Sequence, residues 1–265
     1  SSKLPSQAIS AVTPFVAADS RAVAKAVDEI AKEFPTMQNE FAAQNQVYLA
    51  TGVVLDTYQV FSKNPISSPK DIEGGKVAGA GMNLRYLEGI EGAAGVRGGL
   101  TDFYNMLQTG LVDHAMLWPE AAKTFKIAEV APYMLKVDLG AVNSKTVTVN
   151  KAYWDGLPDE VKGVLQEVAV AYRDHVAGIA MDRAAASREA YVAGGGTVVE
   201  MDPEARAAWA NSMPNIAVEW AAGLDEKGEP GTEMLKAYMA KLTDAGFTPV
   251  RDWTAELTNG SGGTD

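Results

Sequence analysis

No cysteine occurs among the 265 residues. That excludes disulfides, thiolate nucleophiles and cysteine-ligated metals, and it suits cytosol and periplasm alike. Histidine is nearly absent, with His114 and His175 the two present, so neither a histidine-rich metal centre nor a cofactor is expected. Positive charge is also short. Lys plus Arg number 23 against 34 Asp plus Glu, a net charge of −11, and no basic patch offsets the deficit. Nucleic acid, itself a polyanion, is therefore not an expected partner. Long apolar runs are missing: residues 49–55 fall far short of the roughly 20 that a membrane helix needs, so no membrane insertion is expected. Residues 1–7 (SSKLPSQ) lack the basic start and apolar centre of a signal peptide. Composition leaves a cytosolic chain and a mature or truncated piece both open. What is present is 47% hydrophobic, ample for a core in one large domain or two modest ones.

Periodicity sketches the elements. Val23, Ala24, Val27, Ile30 and Ala31 recur at three- and four-residue spacing and predict a helix over residues 20–33, with Ser20 as N-cap. Residues 46–54 (QVYLATGVV) read as a strand covered on both faces, and residues 58–62 as another. SSPKDIEGGK (67–76) reads as one capped helical turn closed by glycines. A short strand over 76–80, a helix over 83–92, a helix over 100–108 stopped by Gly110 and a strand over 111–117 follow. VNSKTVTVN (142–150) alternates and is rich in Val and Thr, a strand pattern.

Residues 158–192 contain no proline after Pro158. Val161, Val164, Leu165, Val168, Tyr172, Val176 and Ile179 keep a helical apolar period. Pro158 suits a helix start, Asp159 and Glu160 suit the positive dipole end, and Gly194 stops the run. At about 1.5 Å per residue this segment measures roughly 50 Å. A chain of this size has a radius of gyration of about 18 Å. The helix must cross the whole molecule unless Gly163 or Gly178 breaks it. A coiled-coil partner is the competing reading, but no seven-residue repeat is sustained. TVVEM (197–201) and helices over 203–222 and 232–245 complete the chain, with a linker-like tail at 259–265. Strands alternating with helices predict an α/β fold with largely parallel sheets.

Enzyme chemistry finds little support, and the chain is not expected to be an enzyme. GGKVAGAG (74–81) lacks both the Lys-Ser/Thr ending of a P-loop and the GxGxxG spacing, and reads as a turn with close backbone approach. No GxSxG occurs. His114 reads as a strand histidine with a satisfied hydrogen bond, and His175 as a surface or packing residue of the long helix.

Four segments, in this order, resemble the solute-binding proteins of TRAP transporters, the DctP-type family: NPISSPKDIEGGKV (64–77), FYNMLQTGLVDHAMLWP (103–119), FKIAEVAPY (125–133) and VTVNKAYWDGLPDEVKGVLQE (147–167). The resemblance spans residues 4–253 and implies an α/β, two-lobed, periplasmic-binding-protein-like fold with a long helix spanning both lobes. It implies lobe I from residues 1–56 plus 143–192, incomplete at its N-terminus, and lobe II from 57–142 plus 193–265. It further implies a periplasmic receptor that binds a small organic carboxylate between the lobes and hands it to TRAP membrane permease subunits. A receptor for an ATP-driven transporter or signalling system is the alternative, and an enzyme on the same frame a more distant one.

The departures from the family pattern bear on the ligand. Ala78 stands where the resemblance implies an anchoring arginine, Tyr58 where some acidic-sugar binders carry another, and Leu117 and Trp118 where an amide is usual. Two buried carboxylates need paired charge, so a monocarboxylate with an apolar or aromatic body is expected, with ring contacts from Trp118 and Tyr58. Arg85 is the first candidate for the carboxylate anchor, because an arginine fork matches two oxygens, and Arg97 is its competitor. Asn83 and Met82, in the same GMNLRY segment, and Tyr104 are further candidates. Asn143 and Lys145, near the returning strand, are weaker ones.

Overall fold

The computed structural model describes residues 3–259; the rest of the tail expected as linker, 260–265, lies outside the described residues. Helices α1 (Ser20–Glu33) and α2 (Pro35–Ala42) lead into strand β1 (Gln46–Leu55). Strands β2 (Gln59–Ser62), β3 (Lys76–Gly79) and β4 (Ala94–Arg97) follow, with a 3-10 turn, Gly81–Gly89, between the last two. Next come α3 (Phe103–Gln108), β5 (His114–Leu117), α4 (Pro119–Thr124) and β6 (Tyr133–Lys136). Then β7 (Val142–Asn150), α5 (Lys151–Asp155) and α6 (Asp159–Ala193) precede β8 (Thr197–Glu200), α7 (Pro203–Ser212), α8 (Ile216–Asp225) and α9 (Gly231–Asp244).

Strands β1 and β7 pair antiparallel as a two-stranded ribbon, and the other six form one sheet in the order β4-β3-β5-β2-β6-β8. That sheet is mixed, not largely parallel as the alternation of elements predicts. β3 is parallel to β4 and β5, and β6 to β8, but β2 runs antiparallel to both β5 and β6. The cause is topological. β1 feeds β2 into the sheet, and its neighbour β6 carries the chain back out to β7, so the two must run in opposite senses.

The two crossings are stapled together. Gly140 N–H donates to Thr57 Oγ1 at 2.9 Å, and Leu139 N–H to Tyr58 O at 3.1 Å. Buried Gln59 accepts from Val137 N–H at 2.7 Å and Asp138 N–H at 3.0 Å through Oε1, and donates to Asp138 Oδ1 at 2.7 Å. These bonds satisfy backbone groups that no sheet partner reaches where the chain passes between the sheets.

Helix α6 runs unbroken through Gly163 and Gly178. It lies against β1 and α1 on one side of the molecule and against α4 and β8 on the other. The face it buries is not the expected one. Val161, Val164, Val168 and Tyr172 are 41–57% exposed, while Ala169, Arg173, Ala177, Ala184, Ser187 and Tyr191 are buried. Small side chains let the helix pass close over β1, which larger valines would hold off.

Arg173 reaches through that contact to Asp28 of α1, at 2.6 Å. The same carboxylate accepts from Thr51 N–H and the Tyr48 hydroxyl of β1. Burial first, and the facing carboxylate second, push the Tyr48 pKa far up and keep it a donor. One buried acid thus ties α1, β1 and α6 together. The closing helices reach the same region: α9 packs on α1, and the Trp220 indole N–H donates to Pro5 O at 2.8 Å.

Local expectations change in four places. Asp19, not Ser20, caps α1, accepting from Arg21 N–H at 2.8 Å and Ala22 N–H at 3.0 Å, since its carboxylate reaches two orphan donors. The helix expected over 203–222 is two, because Pro214 cannot continue α7 and Asn215 caps α8 by accepting from Val218 N–H. The helix expected over 83–92 is the 3-10 turn Gly81–Gly89. His114 does lie in β5, but its Nδ1 is buried without a partner. Burial lowers its pKa below the ordinary value, and Gly75 lies so close that an added Cβ would stand 3.1 Å from Nε2.

Candidate ligand-binding cleft

A cleft of about 420 Å³ opens between the β1–β7 ribbon, the first residues described, and the 3-10 turn that follows β3. Gly81 starts that turn with φ +62°, in the left-handed region open to glycine. Asn83 locks it, accepting from Ala80 N–H at 2.9 Å. On the ribbon side β7 is bulged. Lys145 pairs with Val53 and Asn143 with the next residue, Val54, so Ser144 has no partner. A bulge re-aims side chains that a regular strand would alternate between faces. Residues 142–146 accordingly all line the cleft. Under the bulge β1 comes close, since a Cβ on Gly52 would stand 3.1 Å from Lys145 O.

Leu4, Ala8, Ala11, Phe41 and Met82 supply an apolar wall, and buried Tyr86 stands behind it with its hydroxyl donating to Ala11 O at 2.6 Å. Lys145 is the sole charged residue among those lining the cleft, and among the described residues it makes no ion pair. Burial pushes the Tyr58 pKa up to about 12, so its phenol stays a neutral donor. The lining holds no carboxylate, histidine or cysteine among the described residues.

The polar centre of the cleft is an amide pair. Asn143 Nδ2 donates to Gln7 Oε1 at 2.9 Å, and Thr146 Oγ1 donates to the same oxygen at 3.1 Å. Asn143 N–H is spent on Ser10 Oγ at 2.9 Å. Gln7 Nε2 and Asn143 Oδ1 are left buried with no partner. An unmade bond at such an atom costs about 1–3 kcal/mol.

Of the residues singled out from sequence, Tyr58, Met82 and Asn83 come together on the cleft wall, and Asn143 and Lys145 face them. Trp118 does not line the cleft. It sits behind Tyr58, ring to ring at 5.6 Å and 64°, and fixes the phenol from the rear. The structure does not bring Arg85 to the cleft. Its guanidinium grips Glu88 with two donors at 2.8 and 2.9 Å and Glu219 of α8 with a third at 2.7 Å, and these bonds hold it firmly charged. Arg97 lies exposed on the edge strand β4. Tyr104 donates to Glu129 at 3.0 Å, away from the cleft. Ala78 is fully buried in the sheet core. Gln7, Phe41, Tyr86 and Thr146 escape the sequence reading, and Gln7 meets its amide partner only across 136 residues of chain.

Among the described residues no group of three or more His, Cys, Asp or Glu is placed to hold a metal ion, and no helix is long and apolar enough to cross a membrane.

Residues 2–222 match the family described as bacterial extracellular solute-binding protein, family 7 (DctP). The C4-dicarboxylate-binding periplasmic protein DctP of Rhodobacter capsulatus is 30% identical over 195 residues, covering 71% of this chain and 55% of that protein. The chain thus spans about half the length of this relative. A TRAP periplasmic solute-binding protein from Desulfovibrio salexigens, in an open complex with the C-terminus of a symmetry mate in its ligand-binding site, superposes with TM-score 0.80 at 18% identity, covering 91% of this chain and 74% of that one. A TRAP solute-binding protein from Rhodoferax ferrireducens, in complex with copurified benzoate, gives 0.79 at 20%, covering 92% and 76%. At such identities the likeness carries the fold: α/β, two-lobed, with the long helix alongside both lobes.

Proposed function

We propose, from the premise that the chain belongs to bacterial extracellular solute-binding protein family 7 (DctP), that it is the periplasmic receptor of a TRAP transporter. Its ligand is a small organic monocarboxylate with an apolar or aromatic body, delivered to the membrane permease subunits. Proteins of this family are solute-binding receptors of transporters, not enzymes.

One observation carries the ligand class. In a chain of net charge −11, Lys145 is the one charged residue among the described residues that line the cleft, and no acid is among them. Burying one carboxylate there is compensated; burying a second is not. The apolar wall of Leu4, Phe41 and Met82 and the Tyr58 ring suit an apolar or aromatic body. The relative from Rhodoferax ferrireducens holds benzoate, an acid of this kind. Closure would bend the chain at the two stapled crossings, in the manner of hinge-closing receptors.

A thermal-shift screen of monocarboxylates, dicarboxylates, uncharged amides and amines tests the reading. A ligand at 100 times its Kd adds about 2.7 kcal/mol of stability. Stabilisation by one or more monocarboxylates, exceeding that by the matched amide and diacid, is expected. A screen in which no acid raises Tm, or in which only amines do, overturns it.

A further inference from the structure

We propose that Asn83 selects, among the acids the cleft takes, those whose body carries a carbonyl oxygen at a distance from the carboxylate. The inference rests on the reading of the cleft as a carboxylate site and goes beyond it in naming a second functional group. Asn83 is 6% exposed and lines the cleft from the 3-10 turn. Its Oδ1 accepts from Ala80 N–H at 2.9 Å. A backbone N–H only donates, so that bond fixes which way the amide is turned. Gly79 makes room for it, since a Cβ there would stand 3.1 Å from Oδ1. With the oxygen held against the strand end, Nδ2 is the atom left to face outward.

Among the described residues, three side-chain atoms are sealed from solvent without a partner, and they belong to Gln7, His114 and Asn143. Asn83 Nδ2 is not one of them and makes no hydrogen bond among the described residues, so its hydrogens are open to the cleft. What meets it must accept. A carbonyl oxygen accepts with both lone pairs and brings no hydrogen of its own. A hydroxyl also accepts, but its hydrogen finds the neighbouring Oδ1 already held by Ala80. An ammonium offers no lone pair. A second carboxylate accepts, but it adds a charge that the lone cation of the lining does not compensate.

The walls set where the carbonyl must be. Lys145 belongs to the ribbon, and Met82 and Asn83 are consecutive on the turn that faces it. With the acid at Lys145 and the body against Tyr58 and Met82, the far end of the body is what reaches Asn83.

Calorimetric titration with 3- and 4-acetylbenzoate, their isopropyl counterparts and their 1-hydroxyethyl counterparts tests this, with 5-oxohexanoate and 5-methylhexanoate as an aliphatic pair. The native chain is expected to bind the better acetyl acid at least about fivefold more tightly than its isopropyl counterpart, which leaves the amide unanswered, and more tightly than its hydroxyethyl counterpart. The aliphatic pair is expected to follow the same order. Asn83→Asp keeps an oxygen for Ala80 N–H and turns the free donor into an acceptor. In that variant the acetyl-to-isopropyl ratio is expected to fall to unity or below, and the hydroxyethyl acid to overtake the acetyl acid. A merely structural Asn83 would not produce that reversal, and the added charge weakens every acid alike and cancels in the ratio. Should circular dichroism show the variant unfolded, NMR of the isotope-labelled native chain replaces it: the Asn83 side-chain amide must move downfield with the acetyl acid and much less with the isopropyl acid. Equal native affinities for acetyl and isopropyl acids, a ratio that survives the substitution, or an amide signal that ignores the acetyl group overturns the selector. If acids still bind and Lys145→Met weakens them, the receptor reading stands without it. No binding of these acids or of benzoate to the folded native chain overturns both.

Discussion

Lysine and arginine meet a carboxylate differently, and the difference separates Lys145 from Arg85. An arginine fork is worth most when its donors are free to make two parallel bonds; three donors of Arg85 are already held by Glu88 and Glu219. Lys145 is a compact charge on a flexible stem, and among the described residues it makes no ion pair. A hydrogen bond to a charged group contributes about 1.5–3 kcal/mol. Lys145→Met is therefore expected to weaken a bound monocarboxylate by roughly 10- to 100-fold in calorimetry, and Arg85→Ala by no more than about twofold. The reverse order would return the anchor to Arg85. The sequence pointed to Tyr58 as a position where some relatives carry an arginine, and to Met82 and Asn83 through the GMNLRY segment, and all three reach the cleft. It could not show that Arg85 is taken, because Glu219 stands 134 residues further along the chain. Nor could it show that Gln7 meets Asn143, since that contact is set by the fold and leaves no local pattern.

Among the elements, α6 was the most legible and the most misleading. Its limits follow from Pro158 at the start and Gly194 at the end, signals that act within one turn. Its buried face does not, because the valine stripe lies outward and the helix packs through alanines and Arg173. The Asp28–Arg173 pair is where this packing is most exposed to test, with side chains only 1% and 9% accessible. Removing one partner of a buried pair leaves an uncompensated charge and costs about 3–5 kcal/mol. Asp28→Leu is expected to lose that much in urea unfolding, and Asp28→Leu/Arg173→Met to recover only part of it, because Thr51 N–H and the Tyr48 hydroxyl still lose their acceptor. A loss under about 1 kcal/mol for the single variant would mean that the three elements are not held at this point. The bulge in β7 was hidden for a related reason: VNSKTVTVN alternates as a regular strand should, and the slip at Ser144 arises from how β1 pairs with it.

At the scale of the whole molecule, the two sheets meet at crossings where a second acid is buried. Burial first of all raises the Asp56 pKa from 3.8 to about 6, and the Thr57 backbone bond and Arg188, 3.3 Å away, offset it only in part, while Asp138 and Glu120 add to it. An acid whose folded pKa exceeds its unfolded one binds more protons when folded. Between about pH 4 and pH 6 stability therefore falls as pH rises, and the penalty stays in full above that window. Asp56→Asn is expected to raise Tm at pH 7.5 and to change it much less at pH 4; an equal effect at both values would place the carboxyl outside this account. A cleft that grips an organic acid through Lys145, beside the bulged strand, is tested by a crystal structure of the chain soaked with benzoate. Density with the carboxylate within hydrogen-bonding distance of Lys145 Nζ and the ring against Tyr58 and Met82 is the predicted result; benzoate seated at Arg85 or Arg97, with the cleft holding only solvent, would contradict it.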